Sequence, residues 1–277
     1  MATQIPKIFH FMCLHGDLPK WATKYMQGWQ DLHPDWTINL WTMDNLPELY
    51  NKTLFDQAIN PAHKSQILRY DLVYQFGGIY LDWDMECRKN IEPLLDDITA
   101  FGAFYNDKFE SRKFPKGYDE PYIIDHYEIC IFGGVPGHRF YEELVTKQQD
   151  WYDQHPEWDP IWNHIPLTAG FYAAQKLCVM YPEAKKVTGK EVKPIKLDDF
   201  TLFPPHYFIP VGPYDYGYAD KIDTKKAYAV HKMKATWQHL PGAGEYGLKG
   251  IEHLTPLYEI KKRRQPAESG RSVPQIP

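Results

Sequence analysis

Gly77-Gly78-Ile79-Tyr80-Leu81-Asp82-Trp83-Asp84 is the stretch whose reading decides the fold. Two glycines end whatever helix precedes them, Ile79-Tyr80-Leu81 makes a short buried strand, and two aspartates at i and i+2 follow directly. In open α/β sheets the ligand crevice lies at the carboxyl ends of the strands. Asp82 and Asp84 leave that end together, and both can aim at one cation if the chain turns there. Such a pair suits a hard divalent ion, whose usual purpose is to clamp phosphate oxygens and neutralise charge on a departing group. A bare Asp-x-Asp also serves as a polar turn that caps a helix or faces water, so its surroundings must decide.

Upstream, Asn60 reads as an N-cap and Pro61 as the first helical residue. From there Ile67, Leu68, Leu72, Val73 and Phe76 form an apolar stripe that Gly77-Gly78 terminates. Nearer the start, Lys7 to Leu14 is a short apolar run between Pro6 and His15-Gly16, predicted as a buried strand. Leu18, Trp21, Ala22, Tyr25, Trp29 and Leu32 recur at helical spacing until His33-Pro34, and Trp36 to Trp41 is strand-like. Strand–helix–strand predicts a mainly parallel sheet with helices on its faces. Downstream, Ala100 to Tyr105 and Ile129 to Phe132 read as strands, and His138 to Trp151 and Thr168 to Met180 as helices. Beyond Pro182 the proline- and tyrosine-rich run from Pro204 to Tyr218 suggests a long ordered loop or small lobe, and Ala227 to Val230 is a late strand ending at His231. The expected organisation is one α/β domain over residues 1–260 and a disordered basic tail over 261–277, beginning with Lys261 to Arg264.

Composition narrows the function. The 277 residues carry 31 Lys+Arg against 36 Asp+Glu, a formal net charge of −5, which argues against a dedicated nucleic-acid binder. Mean hydropathy is −0.55, and no apolar run approaches the ~20 residues of a membrane span. The basic tail is the expected place for any peripheral membrane contact. Aromatics make up 16% of the chain, which suits surfaces that touch sugars or bases. Cys13, Cys87, Cys130 and Cys178 lie more than 40 residues apart, so no paired spacing suggests a zinc site or redox pair, and a reducing compartment is the simpler reading.

The run Ala62-His63-Lys64-Ser65-Gln66-Ile67-Leu68-Arg69-Tyr70, followed by Gly77 to Asp84, resembles the signature of glycosyltransferase family 32, the DXD sugar transferases related to initiating mannosyltransferases and distantly to glucosylating clostridial toxins. Ile5 to Phe11 looks like that family's first strand, and His33-Pro34-Asp35-Trp36 also fits. The resemblance implies a GT-A-type nucleotide-sugar-binding fold. It implies a retaining hexosyltransferase, drawing on a nucleoside-diphosphate sugar (UDP- or GDP-linked) and passing the hexose to a glycan or other hydroxyl acceptor. Asp82 and Asp84 would hold Mn²⁺ (or Mg²⁺) and the donor diphosphate, with His231 as third metal ligand or diphosphate contact. Arg69, with Asp84, is the expected catalytic residue. Phe9, His10, Gln66, Tyr80 and Trp237 are expected beside the donor, Trp237 on a closing loop. Thr168-Ala169-Gly170 looks like the family's Thr-Gly-Pro.

Two departures stand out. Gln66 replaces an Asp that binds donor hydroxyls, and Cys13 replaces a Trp that stacks on the base; Phe11 or His15 could substitute for the latter. A sugar- or nucleotide-binding pseudoenzyme on the same fold is therefore an alternative, as is, more remotely, an aspartyl-phosphate phosphatase, although Glu86 breaks its motif. Asp125, Glu128 and Asp215 are acids that could approach an acceptor, with nothing to single one out. Because Met1 stands almost at the first strand and no basic-then-apolar leader is visible, a cytoplasmic, bacterial or viral type is expected, unless a membrane anchor has been trimmed.

Overall fold

The computed structural model describes residues 4–58, 61–105, 127–154, 165–212 and 215–234. Along the chain come β1 (Ile8–Met12), α1 (Lys20–Leu32), β2 (Thr37–Trp41), α2 (Lys52–Gln57), α3 (Pro61–Phe76), β3 (Gly78–Leu81), β4 (Met85–Cys87), β5 (Ala100–Phe104) and β6 (Tyr127–Gly134). They are followed by α4 (Arg139–Thr146), α5 (Gln148–Gln154), α6 (Ile165–Met180), β7 (Ile195–Leu197), β8 (Phe200–Phe203), α7 (Pro205–Phe208) and β9 (Ala229–His231).

The central sheet has the order β2-β1-β3-β6-β5-β8-β7, and β4 pairs with β9 in a separate ladder. Among the described strands of the sheet, β2, β1, β3, β5 and β8 run one way and β6 and β7 the other. The α/β architecture expected from the GT-A resemblance, a mainly parallel sheet flanked by helices, is the one the chain adopts. The antiparallel strands β6 and β7 are what strand–helix–strand reasoning did not foresee.

Strand parity sorts the side chains into two cores. Ile79 and Leu81 join one core with Phe9, Phe11, Met26 and Trp29, whereas Tyr80 joins the other with Leu68, Leu72, Phe140 and Tyr172. The helix α3 is buried nearly all round, from His63 to Val73, because it lies between β3 and the helices α4 and α6. It ends abruptly. Gly77 and Gly78 take φ of +63° and +86°, and a Cβ on Gly78 would stand 2.6 Å from the carbonyl oxygen of Ile8. Only glycine lets β1 and β3 approach that closely at this conformation. The expected helix His138 to Trp151 is in fact two, α4 and α5, separated at Lys147. Residues 261–277 lie outside the described residues, and no described helix is long and apolar enough to cross a membrane.

Candidate active site

The chain does turn after β3. The Met85 N–H donates to the Asp82 carbonyl at 3.0 Å, a β-turn with Trp83 and Asp84 at its centre. Asp82 keeps the parity of Tyr80 and therefore faces α3, where Arg69 waits. The Tyr80 hydroxyl donates to Asp82 Oδ1 at 2.6 Å, and Arg69 Nη1 lies 3.5 Å from the same oxygen. The guanidinium sits 4.7 Å above the Tyr80 ring.

Arg69 is held from three sides. Its Nε donates to the Ser65 carbonyl at 3.2 Å and its Nη2 to Ser65 Oγ at 3.1 Å, one helical turn back. Nη1 donates to the Ile129 carbonyl at 2.8 Å. That carbonyl is free because β6 bulges: its register against β5 jumps from Phe132 to Glu128 between Gly102 and Ala103. The neighbouring Cys130 carbonyl accepts from the Asp82 N–H at 2.9 Å, and the Ile129 N–H is taken by Glu128's own carboxylate at 2.9 Å. The irregularity in β6 thus supplies the backbone partners that fix both Arg69 and Asp82. Arg69 is buried, which disfavours its charge, yet Tyr80 and Asp82 beside it hold its pKa above the ordinary value.

Asp84 is buried and belongs to the β4–β9 ladder. Its carbonyl accepts from the Lys232 N–H at 3.0 Å, its Oδ2 from the Lys234 N–H at 2.6 Å, and its Oδ1 meets His231 Nε2 at 3.1 Å. The ladder is positioned from outside by the Trp29 indole, whose Nε1–H donates to the Met85 carbonyl at 2.9 Å. Burial opposes the charge of both partners, but each stabilises the other: Asp84 lies below its ordinary value and His231 well above. Asp82 Oδ2 is 3.9 Å from the same imidazole nitrogen. Asp82, Asp84 and His231 each offer one ligand atom, all within 4.8 Å of one another. Two carboxylates and one imidazole are a donor set that fits a divalent cation such as Mn²⁺ or Mg²⁺.

The structure brings Arg69, Tyr80, Asp82, Asp84 and His231 together, with Gln66 buried one turn before Arg69 on α3. Phe9 and His10 lie elsewhere. Phe9 is packed among Trp29, His33 and Trp36, and His10 is fully buried with both nitrogens engaged, Nδ1 accepting from Trp41 at 3.1 Å and Nε2 donating to the Gly77 carbonyl at 2.8 Å. Their side chains set the height of β1 against the glycine turn and offer a ligand no surface. Phe11 is likewise in the core, so it cannot stand in for a stacking residue at Cys13, which leaves the exposed His15. Trp237, Asp125 and the basic tail lie outside the described residues, as do the side chains of Thr168 and Ala169. Asp215 is fully buried.

Glu128 is the acid that sequence spacing could not distinguish. The structure places it with Cys130 and His231 beside the aspartate pair. Burial pushes its carboxyl above the ordinary value, His231 pulling the other way and Asp82 adding to the rise. Only the alternation that puts Glu128 and Cys130 on one face of β6 could have announced it.

Residues 19–101 match the family model described as the glycosyltransferase sugar-binding region containing a DXD motif. A mannosyl phosphorylinositol ceramide synthase, CSH1 of Saccharomyces cerevisiae, is 28% identical over 159 residues, covering 53% of this chain and 37% of the relative. Inositol phosphoceramide mannosyltransferase 3 of Schizosaccharomyces pombe is 32% identical over 97 residues, covering 33% and 27%. The chain thus spans well under half the length of these relatives. The solved PaToxG glycosyltransferase aligns over 65% of this chain and 71% of its own, at 14% identity and a TM-score of 0.47. Arg69, Asp82 and Asp84 all lie inside the segment, residues 19–101, that is similar to the DXD-type glycosyltransferase sugar-binding region.

Proposed function

We propose that the chain is a metal-dependent, retaining hexosyltransferase that moves a sugar from a nucleoside diphosphate to an acceptor hydroxyl. The observation that carries this reading is the convergence of Asp82, Asp84 and His231 from two separate ladders, with Arg69 beside Asp82. Asp82, Asp84 and the Nε2 of His231 would hold Mn²⁺ or Mg²⁺, which when bound neutralises charge on the diphosphate as it leaves. Arg69 adds a fixed positive charge and a forked donor at the same place; its ties to Ser65 and Ile129 remove the cost of reorganising it during reaction. Tyr80 keeps one oxygen of Asp82 engaged and so sets the direction of the other. Gln66, adjacent on α3, can donate and accept toward sugar hydroxyls where the family uses a carboxylate.

The yeast relatives' names favour mannose as the first sugar to try, and an inositol-bearing lipid headgroup as the first acceptor. The test is a thermal-shift panel of GDP, UDP and their hexose conjugates with and without Mn²⁺. A ligand at ~100 times its dissociation constant stabilises the fold by about 2.7 kcal/mol, a rise of several degrees. A rise that needs both nucleotide and Mn²⁺ and is lost in Asp82→Asn supports the reading. No rise with any pair overturns it. Because Gln66 changes the family's donor contact, a nucleotide-sugar-binding pseudoenzyme is the second reading. Slow hydrolysis of a bound donor without acceptor separates the two, since a binder leaves the donor intact.

A further inference from the structure

We propose that Glu128, Cys130 and His231 form a second cation site, for a thiophilic divalent ion such as zinc, which shares its imidazole with the Asp82–Asp84 cluster. Three observations carry it. Glu128 and Cys130 are two apart on β6 and so lie on one face, and His231 at the end of β9 is brought against them from 101 residues farther along the chain. The three ligand atoms stand within 4.8 Å of one another. Among the described residues, His231 Nδ1 is buried with no nitrogen or oxygen partner and has the Cys130 thiol as its polar neighbour, whereas its Nε2 is already committed to Asp84 at 3.1 Å.

The donor chemistry selects the ion. The aspartate pair is an oxygen site; adding a thiolate and an imidazole makes an S, N, O set, the softer kind that zinc and cobalt take in four-coordinate geometry. Ligand atoms around a tetrahedral zinc are about 3.3 to 3.8 Å apart, so a closing movement of about 1 Å suffices. A fourth position would fall to water or to a further donor. On binding, the Cys130 thiol proton and the proton on His231 Nδ1 pass to solvent, and the sulfur and nitrogen lone pairs go to the metal, with no change of oxidation state.

His231 is held for this task. With Nδ1 on the metal, Nε2 carries the proton and donates it to Asp84, the carboxylate–histidine–metal arrangement that fixes a ligand's tautomer and raises its basicity. Asp84 then supports the second site instead of serving the first with His231. The two uses of the imidazole exclude one another unless it loses its second proton, so a thiophilic ion here competes with the hard cation at the aspartates.

The test does not depend on the transferase reading. Co²⁺ is titrated into the full chain, kept reduced with a phosphine, and the near-ultraviolet thiolate-to-cobalt charge-transfer band is followed. The band is expected in wild type and in Cys87→Ser, and it is expected to disappear when Zn²⁺ is added. Cys130→Ser is expected to abolish it. Should that variant fail to fold, Glu128→Gln is expected to keep the band while weakening cobalt binding at least ~10-fold, since it replaces an anionic ligand with a neutral amide oxygen. Absence of a band in wild type, its survival in folded Cys130→Ser, or unchanged affinity in Glu128→Gln overturns the proposal. A band together with no nucleotide response leaves this site standing and removes the transferase reading.

Discussion

Asp84 and His231 are separated by 147 residues in sequence and by 3.1 Å in space, carboxylate to imidazole, at the open end of the β4–β9 ladder. Two short strands that, among the described residues, pair only with each other hold the charged centre of the candidate site.

That pair has a pH signature in the metal-free chain. Asp84 is depressed below its ordinary 3.8, so its contribution is complete above that value and is lost as pH falls through the lower folded value. His231 is raised above its ordinary 6.5, so its contribution is complete below 6.5 and is lost as pH rises through the higher folded value. The pair therefore stabilises fully between about 3.8 and 6.5 and weakens on the alkaline side. Thermal midpoints measured in EDTA should fall at high pH in wild type and much less in His231→Gln. With Mn²⁺ present the alkaline loss should shrink, because a ligating imidazole must be neutral and metal binding strengthens as pH rises. An alkaline limb identical in His231→Gln would assign the loss to another group.

His10 predicts the opposite limb. Burial lowers its pKa from 6.5 to about 4, the Gly77 carbonyl partly offsetting this, so the folded chain keeps it neutral while the unfolded chain protonates. Stability should decline as pH falls from 6.5 towards 4. His10→Gln should cost about 1–3 kcal/mol at pH 7, because the Trp41 indole N–H and the Gly77 carbonyl lose a matched partner. It should also flatten part of that decline. Urea titrations at several pH values check both; His63, which burial pushes to about 3, contributes in the same direction.

Two glycine substitutions should move stability in opposite directions. Gly78→Ala forces a side chain into φ of +86° and against the Ile8 backbone, and should lose well over the ~1–2 kcal/mol of left-handed strain alone. Gly28→Ala, inside α1 with nothing within 4 Å of the new methyl, should gain up to ~1 kcal/mol of helix propensity. Equal effects in a denaturant series would show that the β1–β3 approach is looser than the geometry indicates.

Arg69→Lys separates charge from shape. Lysine keeps the positive charge but cannot reach Ser65, Ile129 and Asp82 together. Turnover should fall about 10²–10³-fold, the usual loss when a preorganised donor is removed. Mn²⁺-dependent nucleotide binding should persist, weakened. Full turnover in Arg69→Lys would show that a positive charge alone, without the forked donor, suffices at this position.

Much of this was readable along the chain wherever the information is local. The helix ending at Gly77-Gly78, the strand after it and the aspartate turn all follow from neighbours within a few residues, as do β1 from a bounded apolar run, α1 from helical periodicity and β2 from its β-favouring residues. The Ser65–Arg69 tie is legible too, as a one-turn helical spacing. The late strand before His231 is legible, and His231 as a ligand beside the aspartates follows only from the family resemblance; what could not be read is β4, three residues long, and the pairing that brings His231 to Asp84 across 147 residues. The β6 bulge left no local mark either, and with it went Glu128 and Cys130. Phe9 and His10 erred in the other direction: a motif position near a strand end says nothing about which face the side chain takes, and packing against Trp36 and Trp41 decided it.

The span from Asp84 to His231 also sets when the site can exist during synthesis. A chain still emerging from the ribosome can lay β1 to β3 together and form the aspartate turn, yet it lacks the imidazole until β9 has appeared. Closing so long a loop late makes the Asp84–His231 contact one of the last to form: any product that stops before His231 has the aspartate turn without its imidazole partner.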